Sequence, residues 1–309
     1  MTFNDCVEKR KEECDQILEQ FLPDETGYQA MVAKAMNYSV RAGGKRLRPM
    51  LMMTTGRMYG ADQSVVAPFM AALEMIHTYS LVHDDLPAMD NDEFRRGQKT
   101  TWAVYGDGMA VLAGDGLLNF AYETALKAFD APAAREPATS ARIIRAMKVL
   151  ARNAGLNGMV GGQCADIEAE KEAEQLAGMT EAEKEALLFY IHENKTAAMI
   201  RSGFQIGAIL GGAPETDIAL LGEIADAVGL AFQIQDDILD VTGSMEQLGK
   251  SIGKDASSGK ITYTALHGLD GARQKVDALT QSAVTKMEQM SVQDDFLRSL
   301  VLSLVGRES

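Results

Sequence analysis

At 309 residues and 46% apolar content the chain can bury a large core, and it holds no uninterrupted apolar run of the roughly 18 residues that a membrane-crossing helix needs. The formal charge of −14 argues against a nucleic-acid-binding surface, so an anionic ligand must be caught locally, by a basic pocket or by metal ions. Cys6, Cys14 and Cys164 lack metal-ligand spacing and cannot all pair within the chain; with an N-terminus, MTFNDCVEKRKEECDQ, that lacks signal or transit features, they lead to the expectation of a cytoplasmic protein.

Apolar residues recur at three- and four-residue spacing, as at Phe3, Val7, Cys14, Leu18 and Phe21, with little strand-like alternation. The pattern predicts helices over 3–20, 28–42, 47–59, 64–86, 108–129, 138–154, 157–174, 181–211, 216–242 and 270–303, the last divided. Breaks fall at Gly43-Gly44, Asp130 to Pro137, Gly211 to Pro214 and Gly243 to Gly259. None resembles an interdomain linker. The economical architecture is all-α: one large helical bundle forming a single domain, 1–309, with a site lined by side chains of facing helices.

In chain order, the first candidate site residues lie in GGKRLRP, where Lys45, Arg46 and Arg48 stand between one helix end and the next helix start, a setting in which amides and cations together suit a phosphate. A solvated basic turn is the plainer reading of that segment alone. His77 lies seven residues before Asp84 and shares its helix face, whereas His83, His192 and His267 read as ordinary packed or surface residues. HDDLPAMD supplies Asp84, Asp85 and Asp90, and the Arg95-Arg96 pair follows directly. An offset of six separates Asp84 from Asp90 on an ideal helix, but Pro87 interrupts the helix between them.

Further on, Lys195-Thr196 lies in a helix, and QDDILD places Gln233, Asp236, Asp237 and Asp240 on one stripe. The next segment reads GK three times, at Lys250, Lys254 and Lys260, which suits a lid over phosphate. Aspartates at a helix start would be read as caps; these follow apolar helical sequence, and clustered carboxylates need cations between them, which describes a Mg2+ site. The eighteen methionines suit gap filling between helices.

Taken together, GGKRLRP, HTYSLVHDDLPAMDNDEFRRG, GGQCAD, KTAAMIRSG, FQIQDDILD and LGKSIGKDASSGK, in that order from about Tyr28 to Leu269, resemble the trans-isoprenyl diphosphate synthases, most of all the bacterial farnesyl diphosphate synthases. The resemblance implies the isoprenoid synthase bundle, with a central cavity between the two aspartate segments, and a homodimer. It implies an isopentenyl diphosphate pocket at Lys45, Arg48, His77 and Arg96, and allylic diphosphate contacts at Arg95, Lys195, Lys250 and Lys260. Asp84, Asp90 and Asp236 match the principal ligands of about three Mg2+ ions, with Asp85, Asp237 and Asp240 orienting metals, waters or basic side chains. Thr196 and Gln233 match residues flanking the reacting carbons, and Gln163, Asp166 and Lys254 match family blocks with less defined roles. Lys99 and Trp102 depart from the family, where a proline and then a histidine follow RRG; local packing is what this puts in question.

The implied reaction is ionisation of an allylic diphosphate, attack by the double bond of isopentenyl diphosphate, and loss of a proton to the departing diphosphate. Tyr79, five residues before Asp84, matches the position where the family stops chain growth, which favours farnesyl over geranylgeranyl diphosphate as product; a packed core aromatic is the plainer reading. A terpene cyclase has no need of a second diphosphate pocket. A non-catalytic subunit of a heteromeric synthase could lose an aspartate segment, and this chain keeps both.

Overall fold

A computed structural model describes residues 2–171, 178–242 and 261–305. Lys250, Lys254 and Lys260 lie outside the described residues. The chain divides into two compact units, Met1–Met147 with Ile209–Gly212, and Lys148–Ala208 with Ala213–Ser309.

In the first unit, α1 (Phe3–Gln20) starts where Thr2 and Asp5 cap each other reciprocally, Thr2 N–H donating to the Asp5 carboxylate at 2.7 Å and Asp5 N–H to the Thr2 hydroxyl at 3.2 Å. Then come α2 (Ala30–Arg41), α3 (Leu47–Met58) and α4 (Gln63–Asp84). α4 packs against α1, α2, α3 and the later α6 (Asp107–Leu126), so it buries residues all round, among them Phe69, Met70, Leu73 and Ile76. Each such side chain contributes about 1.5–3 kcal/mol by leaving water. α4 is also long and apolar enough to cross a membrane by length and composition, yet 83% of its apolar window is buried inside the protein, as in a core helix.

Between α4 and α6 lies what periodicity did not predict: a two-stranded hairpin, β1 (Phe94–Arg95) with β2 (Gln98–Lys99), followed by α5 (Thr101–Tyr105). Arg96 and Gly97, both at positive φ (54° and 76°), form the two-residue loop that matches the twist of such hairpins. Two short 3-10 turns, Lys127–Asp130 and Pro132–Arg135, precede α7 (Pro137–Ala154).

The second unit holds α8 (Met159–Lys171), α9 (Glu181–Ile191), all but the last residues of α10 (Ala198–Gly211), α11 (Glu215–Thr242), α12 (Tyr263–Glu288) and α13 (Asp295–Val305). The predicted helix over 181–211 is continuous, but one turn of it, His192–Ala197, is π-helical. The predicted start near 270 reflects a break inside α12, where Gly268 takes φ 70°. Leu188, Ile234, Ile238, Tyr263 and Val276 form the core here, joining α9, α11 and α12.

Candidate active site

The basic island of the first unit is built from loop backbone. Gly43 and Gly44 end α2 at φ 83° and 143°, and Arg46 enters α3 in the left-handed region at φ 48°. This turn aims Arg46 inward: its guanidinium meets Asp15 at 2.7 Å and Glu74 at 2.9 Å, and donates to the Val40 carbonyl at 2.7 Å. Arg46 is therefore consumed by structure, which separates it from Lys45, which is exposed, and from Arg48, whose buried Nε has no hydrogen-bond partner. Arg96 reaches back from the hairpin loop to donate to the Gly43 carbonyl. A Cβ on Gly44 would lie 2.6 Å from its Nη1, so glycine makes room for the guanidinium. His77 sits among these cations, and burial, reinforced by Arg48, Arg96, Arg95 and Arg46, pushes its pKa far down, leaving a neutral imidazole at physiological pH.

The first aspartate segment completes the unit. α4 ends at Asp84, and the turn beyond it folds back so that Asp90 N–H donates to the Asp84 carbonyl at 2.8 Å. Two residues six apart in sequence are thus neighbours through a turn around Pro87, not through helical spacing. Asp90 is exposed and Asp84 partly so, whereas Asp85 is buried and accepts from Arg95 Nε at 2.7 Å. Burial raises the Asp85 pKa and Arg95 counters it. Tyr79 is 7% exposed and lies edge-on to His83, centroids 5.8 Å apart; burial, with Tyr122 and Asp84 nearby, pushes its phenol up to about 12. His83 itself packs on α6, with Nε2 3.2 Å from the Val111 carbonyl, where Gly114 leaves space for the ring.

In the second unit the π-helical turn carries Lys195, Thr196 and His192. Lys195 pairs with Asp166 of α8, Thr196 is buried, and burial drops the His192 pKa to about 4. Two glycines press on this turn: a Cβ at Gly162 would collide with the backbone of Lys195, and one at Gly229 with Ala197. On α11, Gln233 Nε2 donates to the exposed Asp236 at 3.4 Å and Asp240 is partly exposed. Asp237, 8% exposed, turns instead to accept the Tyr263 N–H at 2.7 Å. His267 stacks on Tyr263, centroids 4.4 Å apart, and meets Glu185 at 3.2 Å.

The polyprenyl synthetase family matches residues 29–298. The chain belongs to the polyprenyl synthetase family. It is 46% identical to the farnesyl diphosphate synthase of Geobacillus stearothermophilus, over 80% of this chain and 78% of the relative. It is 43% identical to the chloroplastic geranylgeranyl pyrophosphate synthase of Catharanthus roseus, over 84% and 68%. A crystal structure of an FPP/GFPP synthase from Zymomonas mobilis matches with a TM-score of 0.82 at 30% identity, over 98% of this chain and 99% of that one.

Polyprenyl synthetases are Mg2+-dependent and act on isoprenoid diphosphates. Among the described residues no three His, Cys, Asp or Glu side chains gather into a cage of their own. Mg2+ is commonly held by one or two carboxylates plus waters and phosphate oxygens, and the oxygen-only donors Asp84, Asp90 and Asp236 fit that chemistry. Sequence reasoning missed three features that hold the candidate residues: Glu74, the Asp166–Lys195 pairing and the π-helical turn. Glu74 left a signal, a lone acid in the apolar stretch Val65 to Ile76 of α4, which is the mark of a buried ion pair.

Proposed function

We propose that the protein condenses isopentenyl diphosphate with dimethylallyl and then geranyl diphosphate to give farnesyl diphosphate. The observation that carries this reading is the second anion pocket. Arg48 with an unpartnered buried Nε and the glycine-seated Arg96 both act on the neutral His77, so two guanidiniums and an imidazole gather in one place. An enzyme that only ionises one prenyl diphosphate has no use for such a cluster. Lys45, Arg48, His77 and Arg96 bind the diphosphate of isopentenyl diphosphate, the guanidinium forks taking paired oxygens and the imidazole donating one hydrogen bond.

Asp84, Asp90 and Asp236 would hold Mg2+, about three ions per site, with Asp240, one turn on from Asp236 in α11, orienting metal or water, and Asp85 and Asp237 fixing Arg95 and the start of α12. When bound, Mg2+ stabilises charge on the departing diphosphate. Arg95, Lys195, Lys250 and Lys260 bind that same diphosphate, and Thr196 and Gln233 flank the reacting carbons. The buried Tyr79 ring limits chain growth to fifteen carbons. Exposed apolar residues of α5 and α6, Val104, Val111, Leu112 and Leu126, support a homodimer.

The test is incubation of the purified protein with labelled isopentenyl diphosphate, geranyl diphosphate and Mg2+. A fifteen-carbon diphosphate as main product supports the proposal, a twenty-carbon product favours the geranylgeranyl reading, and no prenyl product removes the assignment.

A further inference from the structure

The loop that follows α4 is held at both ends. At its start, Asp90 N–H donates to the Asp84 carbonyl at 2.8 Å and Asn91 N–H to the Leu86 carbonyl at 3.0 Å. At its far end, the Trp102 indole Nε1–H donates to the Asp92 carbonyl at 2.9 Å, and Thr100 N–H to the Glu93 carbonyl at 2.9 Å. Between those ties, residues 87–91 are exposed and Asn91 sits at φ 53°, so little packing of its own fixes Asp90.

The element that carries Trp102 is anchored elsewhere. Tyr38 of α2 donates its hydroxyl to the Lys99 carbonyl at 2.7 Å, the Ser39 and Thr101 hydroxyls share a 2.7 Å hydrogen bond, and the Tyr38 and Tyr105 rings meet edge to face at 5.6 Å. α5 is thereby tied to α2, and the indole passes that fixed position on to the acidic loop.

We propose that Trp102 is a positioning residue for metal binding, its indole N–H fixing through the Asp92 carbonyl the loop that presents Asp90. This rests on the reading that Asp84 and Asp90 hold Mg2+ with the allylic diphosphate. Trp102 touches no substrate; it acts by lowering the freedom that the loop must lose when the ion and diphosphate arrive.

Trp102 is the chain's single tryptophan, so its emission reports on this loop without labelling. In the unaltered protein, Mg2+ with inorganic diphosphate should shift the emission, and Asp90→Asn should abolish the shift. Trp102→Phe keeps an aromatic ring, though a smaller one, and deletes the donor; it should raise the Mg2+ concentration for half-maximal diphosphate binding, read by calorimetry, by about three- to tenfold, the range of one neutral hydrogen bond. Trp102→His returns a donor, because imidazole Nε2 overlies indole Nε1 when the five-membered rings coincide, and should restore the value to within about twofold. Calorimetric binding with no emission change in the unaltered protein, or a Trp102→Phe midpoint equal to the unaltered one, overturns the proposal. Normal Mg2+ and diphosphate binding by Asp90→Asn overturns the metal reading, and this inference with it; impaired Asp90→Asn beside normal Trp102→Phe overturns this inference alone.

Discussion

Neutralising Glu74 should unseat the basic cluster from beneath. Its side chain is 3% exposed and lies 2.9 Å from Arg46, itself 4% exposed, while Asp15, the other partner of Arg46, is 44% exposed. Removing one partner of a fully buried pair costs about 3–5 kcal/mol, because a desolvated charge is left behind. Asp15 and the Val40 carbonyl still satisfy part of the guanidinium fork, so Glu74→Gln should lie near the lower end, at about 3 kcal/mol. For domains of this size that is about 2–4 °C per kcal/mol, or a melting point lower by roughly 6–12 °C, measured by circular dichroism. Replacing both partners with apolar residues, Arg46→Met with Glu74→Leu, should recover most of the loss, since the desolvated charge disappears together with its counterion. A Glu74→Gln melting point within 2 °C or so of the unaltered protein, or a double variant no better than the single, would refute this account of the pair.

Gly44→Ala places a Cβ 2.6 Å from Arg96 Nη1 at a backbone φ of 143°, so the guanidinium must move. Loss of one charge-assisted hydrogen bond should raise the KM for isopentenyl diphosphate about tenfold or more while the allylic KM stays put; equal changes in both would count against a dedicated pocket. Asp166→Asn leaves Lys195 without its carboxylate and, with the lysine side chain 30% exposed, should cost about 1–2 kcal/mol in urea unfolding; an unchanged midpoint would show that the pair contributes nothing. Tyr79→Ala should lengthen the product to twenty carbons or more at a cost of about 3–5 kcal/mol in stability, whereas Tyr79→Phe should keep fifteen. Product analysis by chromatography decides, and an active Tyr79→Ala variant with unchanged products removes the floor assignment.

The helices were legible because apolar spacing persists over many turns: α1 runs over Phe3–Gln20 as predicted, and α11 over Glu215–Thr242 against an expected 216–242. What spacing could not supply were contacts made through space. It grouped Arg46 with the phosphate-binding cations, but Glu74, 28 residues on, claims that side chain. It put Asp84 and Asp90 far apart on an ideal helix, so their convergence had to be inferred from the break at Pro87, and a backbone hydrogen bond across that turn brings them together. The hairpin at Phe94–Lys99 is too short to show alternation, although the Arg96-Gly97 pair marks a two-residue loop. A single π-helical turn shifts the register by one residue without disturbing the apolar pattern on either side, so His192–Ala197 was unreadable by periodicity.

The two units fix their cations by different physical means. In the first, backbone in the left-handed region does it: Arg46 at φ 48° and Arg96 at φ 54° each hold a conformation that costs a non-glycine residue on the order of 1 kcal/mol, and each guanidinium is then captured by backbone carbonyl oxygen. In the second, Lys195 lies on regular-looking helix whose π-helical turn is held in place by the close approach of Gly162 and Gly229. The consequence is a difference in what each site tolerates. A side chain added at Gly162 or Gly229 meets backbone or a buried alanine and cannot be absorbed by a rotamer change, so helix packing itself must open and Lys195 and Thr196 move with it. A side chain added at Gly44 meets the far end of a flexible arginine, which can swing aside at the expense of binding while the helices stay where they are.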